Sequence, residues 1–164
     1  MRRTSGACEC RCAFRTGALP TRKPIPSLGG SRSRHYPVVP VLLAGPAGGW
    51  ARDCLLDSGA DDTIFPVTAA QALGINLTGA PVGRASQAGG AVIQYPYAAV
   101  TLRISDGRES CEWVATVGFV RARLRWPLLG QAGFLQFFDV TLLGARRETV
   151  LTPNASFPGS HAVH

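Results

Sequence analysis

Three carboxylates, two hydroxyls and a glycine crowd into one short stretch, Asp57-Ser58-Gly59-Ala60-Asp61-Asp62-Thr63, within the segment CLLDSGADDTIFP. The stretch follows Cys54-Leu55-Leu56, an apolar run that reads as a buried strand. Asp, Ser and Gly are ordinary turn residues, so a strand ending in a turn accounts for the composition alone. Grouped carboxylates can also move protons to and from water, one acting ionised as a base and one protonated as an acid. Two like charges that close cannot both ionise easily, so such a pair shares a proton and titrates as a unit. Calcium ligation fits less well, because Asp57, Asp61 and Asp62 lack the alternating spacing and closing glutamate of a calcium loop. Other catalytic plans lack parts. His35, His161 and His164 all lie at the margins, which argues against a Ser-His-Asp or Cys-His pair, and no phosphate-cradling loop is present.

Short strands must position this stretch. YPVVPVLLAG is a β-branched, proline-interrupted run suited to an edge strand, and WARDCLLD reads as its return strand. Pro66, an Ala-rich interior and Gly74 mark a short helix. Gly89-Gly90 separate two extended runs, as in a hairpin with a mobile tip. SDGRES is a further turn, CEWVATVGFV a strand, and RWPLLGQAGFLQFFDVTLLG a short apolar run, a helical turn and another strand. About eight strands and one or two short helices make an all-β domain.

The net charge of +7 suggests nucleic acid until it is divided by position. Residues 1–34 carry eight basic residues and Glu9, giving +7, while residues 35–164 carry nine of each sign and balance. The basicity belongs to an Arg-, Ser- and Pro-rich tail with no apolar periodicity, read as disordered over 1–34. A domain at 35–153 and a flexible tail at 154–164 complete the division. Without a basic patch in the domain, the aromatics (Trp50, Trp113, Trp126, Phe134, Phe137, Phe138) are expected to build a core, and no nucleic-acid partner is expected. No apolar run is long enough for a transmembrane helix, so no membrane partner is expected either. The five cysteines are an odd number with no apolar leader, which favours a reducing, cytoplasmic setting. The trio Cys8, Cys10 and Cys12 is too closely spaced for an ordinary zinc site and reads as incidental, and Cys54 and Cys111 as reduced core residues. No cofactor and no metal is expected.

LLDSGADDT, and later PLLGQAGF, together resemble the active-site loop and second apolar-apolar-Gly segment of the retropepsin-like aspartic proteases, over roughly residues 37 to 153. The resemblance implies a closed β-barrel-like acid protease fold, a single lobe with a flap hairpin. It implies Asp57 as the catalytic aspartate, supported by Ser58, Gly59 and Thr63. Gly59, Ala60, Asp61 and Asp62 would line the substrate groove. Gly89, Gly90, Ala91 and Ile93 would belong to the flap, and Leu128, Leu129 and Gly130 would form the second motif. The other Asp-Gly turn, Ser105-Asp106-Gly107, has the wrong order and polar surroundings. A single Asp-Ser-Gly therefore implies a homodimer with one Asp57 from each subunit, cutting peptide or protein substrates. Gln131 stands where retroviral members carry an arginine that pairs with the carboxylate at the Asp61 position, so a charge is missing from the dimer-supporting loop. Two alternatives remain: a catalytically inactive dimer that binds extended peptides, and an unrelated small β-barrel with an acidic loop.

Overall fold

Residues 10–86 and 90–164 are described by the structure, a computed structural model. The chain opens with β1 (Cys12–Arg15), β2 (Gly17–Ile25) and β3 (Ser31–Tyr36). The hairpin β4 (Val38–Gly45) and β5 (Gly48–Leu56) follows, then β6 (Ile64–Pro66) and the helix α1 (Val67–Ala72). A second hairpin joins β7 (Val82–Ser86) to β8 (Val92–Ser105), which turns back into β9 (Glu109–Val120). Last come β10 (Leu128–Leu129), β11 (Phe138–Leu143), β12 (Glu148–Pro153) and β13 (Ser160–Val163).

The fold is all-β, with one α-helix among the described residues and a large mixed sheet. In that eight-stranded sheet the order is β13-β9-β6-β10-β5-β4-β8-β7, and β8 pairs with β9 as well, so the pairings run in a ring through six of the strands. Alternation builds its interior. In β9 the pattern Cys111, Trp113, Ala115, Val117 and Phe119 turns every second side chain inward, where each is buried. β4 contributes Val39, Val41 and Leu43 to the same core in the same way. Trp113 is the centre of an aromatic cluster, edge-on to Phe134, Phe138 and Phe157 with ring centroids 5.2 to 5.6 Å away. The aromatics at these positions are core, as the composition suggested.

Three expectations need correction. β4 is not an edge strand: it lies between β5 and β8. Its pairing with β8 begins only at Val41, so the missing N–H of Pro40 falls outside that ladder. Residues 10–34 of the expected tail are not loose. Cys12 and Phe14 alternate inward from β1, which pairs antiparallel with β12, and β2 pairs with β3. Four residues of β1 are too few for periodicity to stand out among arginines and prolines. Met1 to Glu9 lie outside the described residues. At the other end Phe157 joins the Trp113 cluster and β13 pairs with β9, anchoring a segment expected to be flexible.

The rejected Ser105-Asp106-Gly107 turn has a structural role. One Asp106 oxygen accepts the N–H groups of Arg108 and Glu109, both at 2.9 Å, and the other accepts that of Ala13 at 3.0 Å, tying β1 to the β8–β9 turn. Burial opposes the charge there, but these N–H groups outweigh it and hold the carboxyl below its ordinary range.

Candidate active site

Asp57 sits at the end of β5 because β10 lies parallel to that strand, pairing Leu128 with Leu55 and Leu129 with Leu56. The Asp57 N–H donates to the Leu129 carbonyl at 3.1 Å, so the second apolar motif fixes where the aspartate leaves the sheet. The turn then closes on itself. Ala60 N–H donates to the Asp57 carbonyl at 3.1 Å, and Gly59 N–H donates to Asp57 Oδ1 at 3.0 Å.

The loop from Gly59 to Thr63 is held against the segment after β10 by a second set of bonds. Gln131 N–H donates to the Ala60 carbonyl at 2.9 Å, Ala132 N–H to the Asp61 carbonyl at 2.8 Å, and Thr63 N–H to the Ala132 carbonyl at 3.0 Å. The fully buried Thr63 hydroxyl accepts the Gly130 N–H at 3.2 Å. Gly130 is required by this closeness: a Cβ there would lie 2.7 Å from the Ala60 carbonyl oxygen and 2.6 Å from the Asp62 carbonyl carbon. Gln131 spans to the Ser58 carbonyl with its side-chain amide at 3.0 Å, a neutral tie within the loop. Arg125 lies over the Trp126 ring, 5.3 Å from its centroid.

Asp57, Gly59, Ala60, Asp61 and Asp62 line a cavity of about 270 Å³. Ala85, Ser86 and Ile93 from the β7–β8 hairpin line it as well, with Ile64, Val120 and Leu128 as apolar wall. Asp57 is half-buried, and Ser58 is exposed beside it. Of the hairpin tip, Gly90 and Ala91 are exposed, and Gly90 has φ of +79°. Gly89 lies outside the described residues. Leu129 and Gly130 are buried behind the loop rather than in the cavity.

Sequence reasoning missed two residues at this site. Tyr95 and Tyr97, alternate residues of β8, both donate their hydroxyls to Asp62 Oδ2, at 2.7 and 2.6 Å. Asp62 is therefore held by two phenols while still bordering the cavity. The rings fit because Gly118 and Gly83 leave the space: a Cβ at Gly118 would come within 2.8 Å of Tyr95 and one at Gly83 within 2.6 Å of Tyr97. Burial raises both phenol pKa values, and the Asp62 contact raises them further. The Tyr-x-Tyr spacing on a strand, which puts both rings on one face, was the available signal.

No curated protein matches the chain significantly. A family model described as aspartyl protease matches residues 44–130, the span from β4 through Gly130 that contains the loop, the hairpin and the second motif. The chain belongs to this aspartyl protease family, which is of the retropepsin-like type.

Proposed function

We propose that the chain is an aspartic endopeptidase whose catalytic dyad is completed in a homodimer, one Asp57 from each protomer. The observation that carries this reading is the placement of Asp57. It leaves a paired strand into a cavity, half-buried, with a backbone N–H on one carboxylate oxygen. A water between the two carboxylates would give a proton to the ionised Asp57 while its protonated partner polarises the peptide carbonyl. The two like charges share one proton, so activity follows the protonation of the pair. Symmetry accounts for a chain with a single Asp-Ser-Gly, since an isologous contact supplies the second copy.

The β7–β8 hairpin acts in this reading as a flap that covers an extended peptide and excludes water. Ile64, Ile93 and Leu128 supply apolar side-chain pockets, and Asp61 and Asp62 supply polar contacts to substrate. The test is digestion of a complex peptide library by the purified chain, from acid to neutral pH, beside Asp57→Asn. Cuts made only by the parent chain support the endopeptidase. A folded dimer that never cuts would instead favour the peptide-binding module, and a monomer that cuts would end the shared dyad.

A further inference from the structure

Three of the cysteines form a group that peptide hydrolysis does not use. The sulfurs of Cys10, Cys12 and Cys111 all lie within 4.8 Å of one another, and those of Cys10 and Cys111 are 3.5 Å apart. The residues are 4, 0 and 0 % exposed. One residue separates Cys10 from Cys12, tighter than the two to four of ordinary zinc-ligand pairs. On extended chain, residues i and i+2 face the same way, so both thiols point from the β1 segment toward Cys111 on β9. Cys54 makes a useful contrast: equally buried, it meets no other thiol among the described residues and bonds to the Arg52 carbonyl of its own strand at 3.4 Å.

We propose that Cys10, Cys12 and Cys111 hold a single thiophilic cation, zinc(II), that staples the β1 segment to β9. The spacing suits it: four ligands around zinc with Zn–S of about 2.3 Å stand about 3.8 Å apart. Thiolates are also the donors that select zinc over calcium or magnesium. An oxygen donor is at hand for a fourth position. The Glu109 carbonyl accepts the Cys12 thiol at 3.7 Å, and its carboxylate accepts the Arg11 N–H beside the cluster. A disulfide would use two of the sulfurs and leave the third buried against it, whereas three converging sulfurs match a ligand set. Each ligating thiol gives up its proton on binding, and the metal then contributes directly to the stability of the segment it joins.

The experiment is metal analysis of the full chain purified without chelator, with cobalt(II) exchanged for zinc to report thiolate ligation through its charge-transfer absorption. One zinc per chain, retained in Cys54→Ser and lost in each of Cys10→Ser, Cys12→Ser and Cys111→Ser, is expected. Circular dichroism of the variants separates loss of ligands from loss of fold, and Cys10→Ser, which lies outside the β1 ladder, is the mildest of the three. Zinc retained in Cys111→Ser would place the metal on the N-terminal cysteines alone and overturn the site. Folded, metal-free chain with all of its thiols free would overturn it too, as would a Cys10–Cys111 disulfide in chain purified without air.

Discussion

The Asp57 loop turns its carboxylates toward a cavity, whereas the β1–β9 contact turns its thiols away from solvent. Asp57, Asp61 and Asp62 are exposed or half-buried on a turn whose shape comes from backbone bonds to the Leu129–Ala132 segment. Cys10, Cys12 and Cys111 are buried and meet one another directly. The difference fits the role proposed for each group. A catalytic carboxylate must reach water and substrate, so its position is fixed by surroundings that leave the group itself open. A group that joins two segments gains by excluding water, which lowers the dielectric and removes competing ligands. The two regions should therefore fail in different ways: one loses activity with the fold intact, and the other loses stability.

The sharpest break is Asp57→Asn. Peptide hydrolysis should fall by about 10²–10⁴-fold or more, the usual weight of a general acid–base group, while thermal melting stays within a degree or two of the parent. A large drop in melting temperature would mean that Asp57 is structural, and the contrast would collapse. Gly130→Ala mixes the two outcomes. Its Cβ would press on carbonyl groups of the loop that cannot move aside, costing about 3 kcal/mol and displacing Asp57 as well. Denaturant unfolding should show the first effect and peptide cleavage the second.

Asp106→Ala tests the other region. Three N–H groups lose a charged acceptor, so unfolding in urea should show a loss of about 2 kcal/mol, with cleavage per folded molecule unchanged. Because the folded carboxyl is held below its unfolded value, this contribution is present above pH of about 4. It is lost as pH falls through the folded value, and the variant should flatten that acid limb. Tyr97→Phe is the smallest change, about 1 kcal/mol from one hydrogen bond to Asp62. Its sign is opposite. A phenol raised above its ordinary value contributes fully below pH of about 10 and loses that contribution as pH climbs through the folded value. Stability measured through the alkaline range should decline less steeply in the variant.

How much of this was legible depended on distance along the chain. CLLDSGADDT holds strand, turn, aspartate and Thr63 in consecutive residues, and local chemistry sufficed to mark it. The Trp113 strand and the helix after Pro66 were likewise written in periodicity and caps. The tie between Asp62 and the two tyrosines was not, since the partners come from different strands and nothing in DDT calls for YPY. The structured N-terminal segment was hidden for the same reason. CRCAFR looks like a polar tail until β12 provides a partner and the core provides a surface for Cys12 and Phe14.

The sequence by itself determined an all-β domain, the loop at Asp57 with the second motif at Leu128–Gly130, and through them the family. These depend on alternation, turn chemistry and contiguous residues, which act over a few positions of chain. Only the tertiary structure decided that Pro40 sits in an interior strand, that β1 and β13 are pinned by pairing, and that Cys111 meets two thiols about a hundred positions away. Such contacts form only after the sheet has closed the distance, because the entropy of joining remote segments is met by the burial of the whole core and not by any local preference.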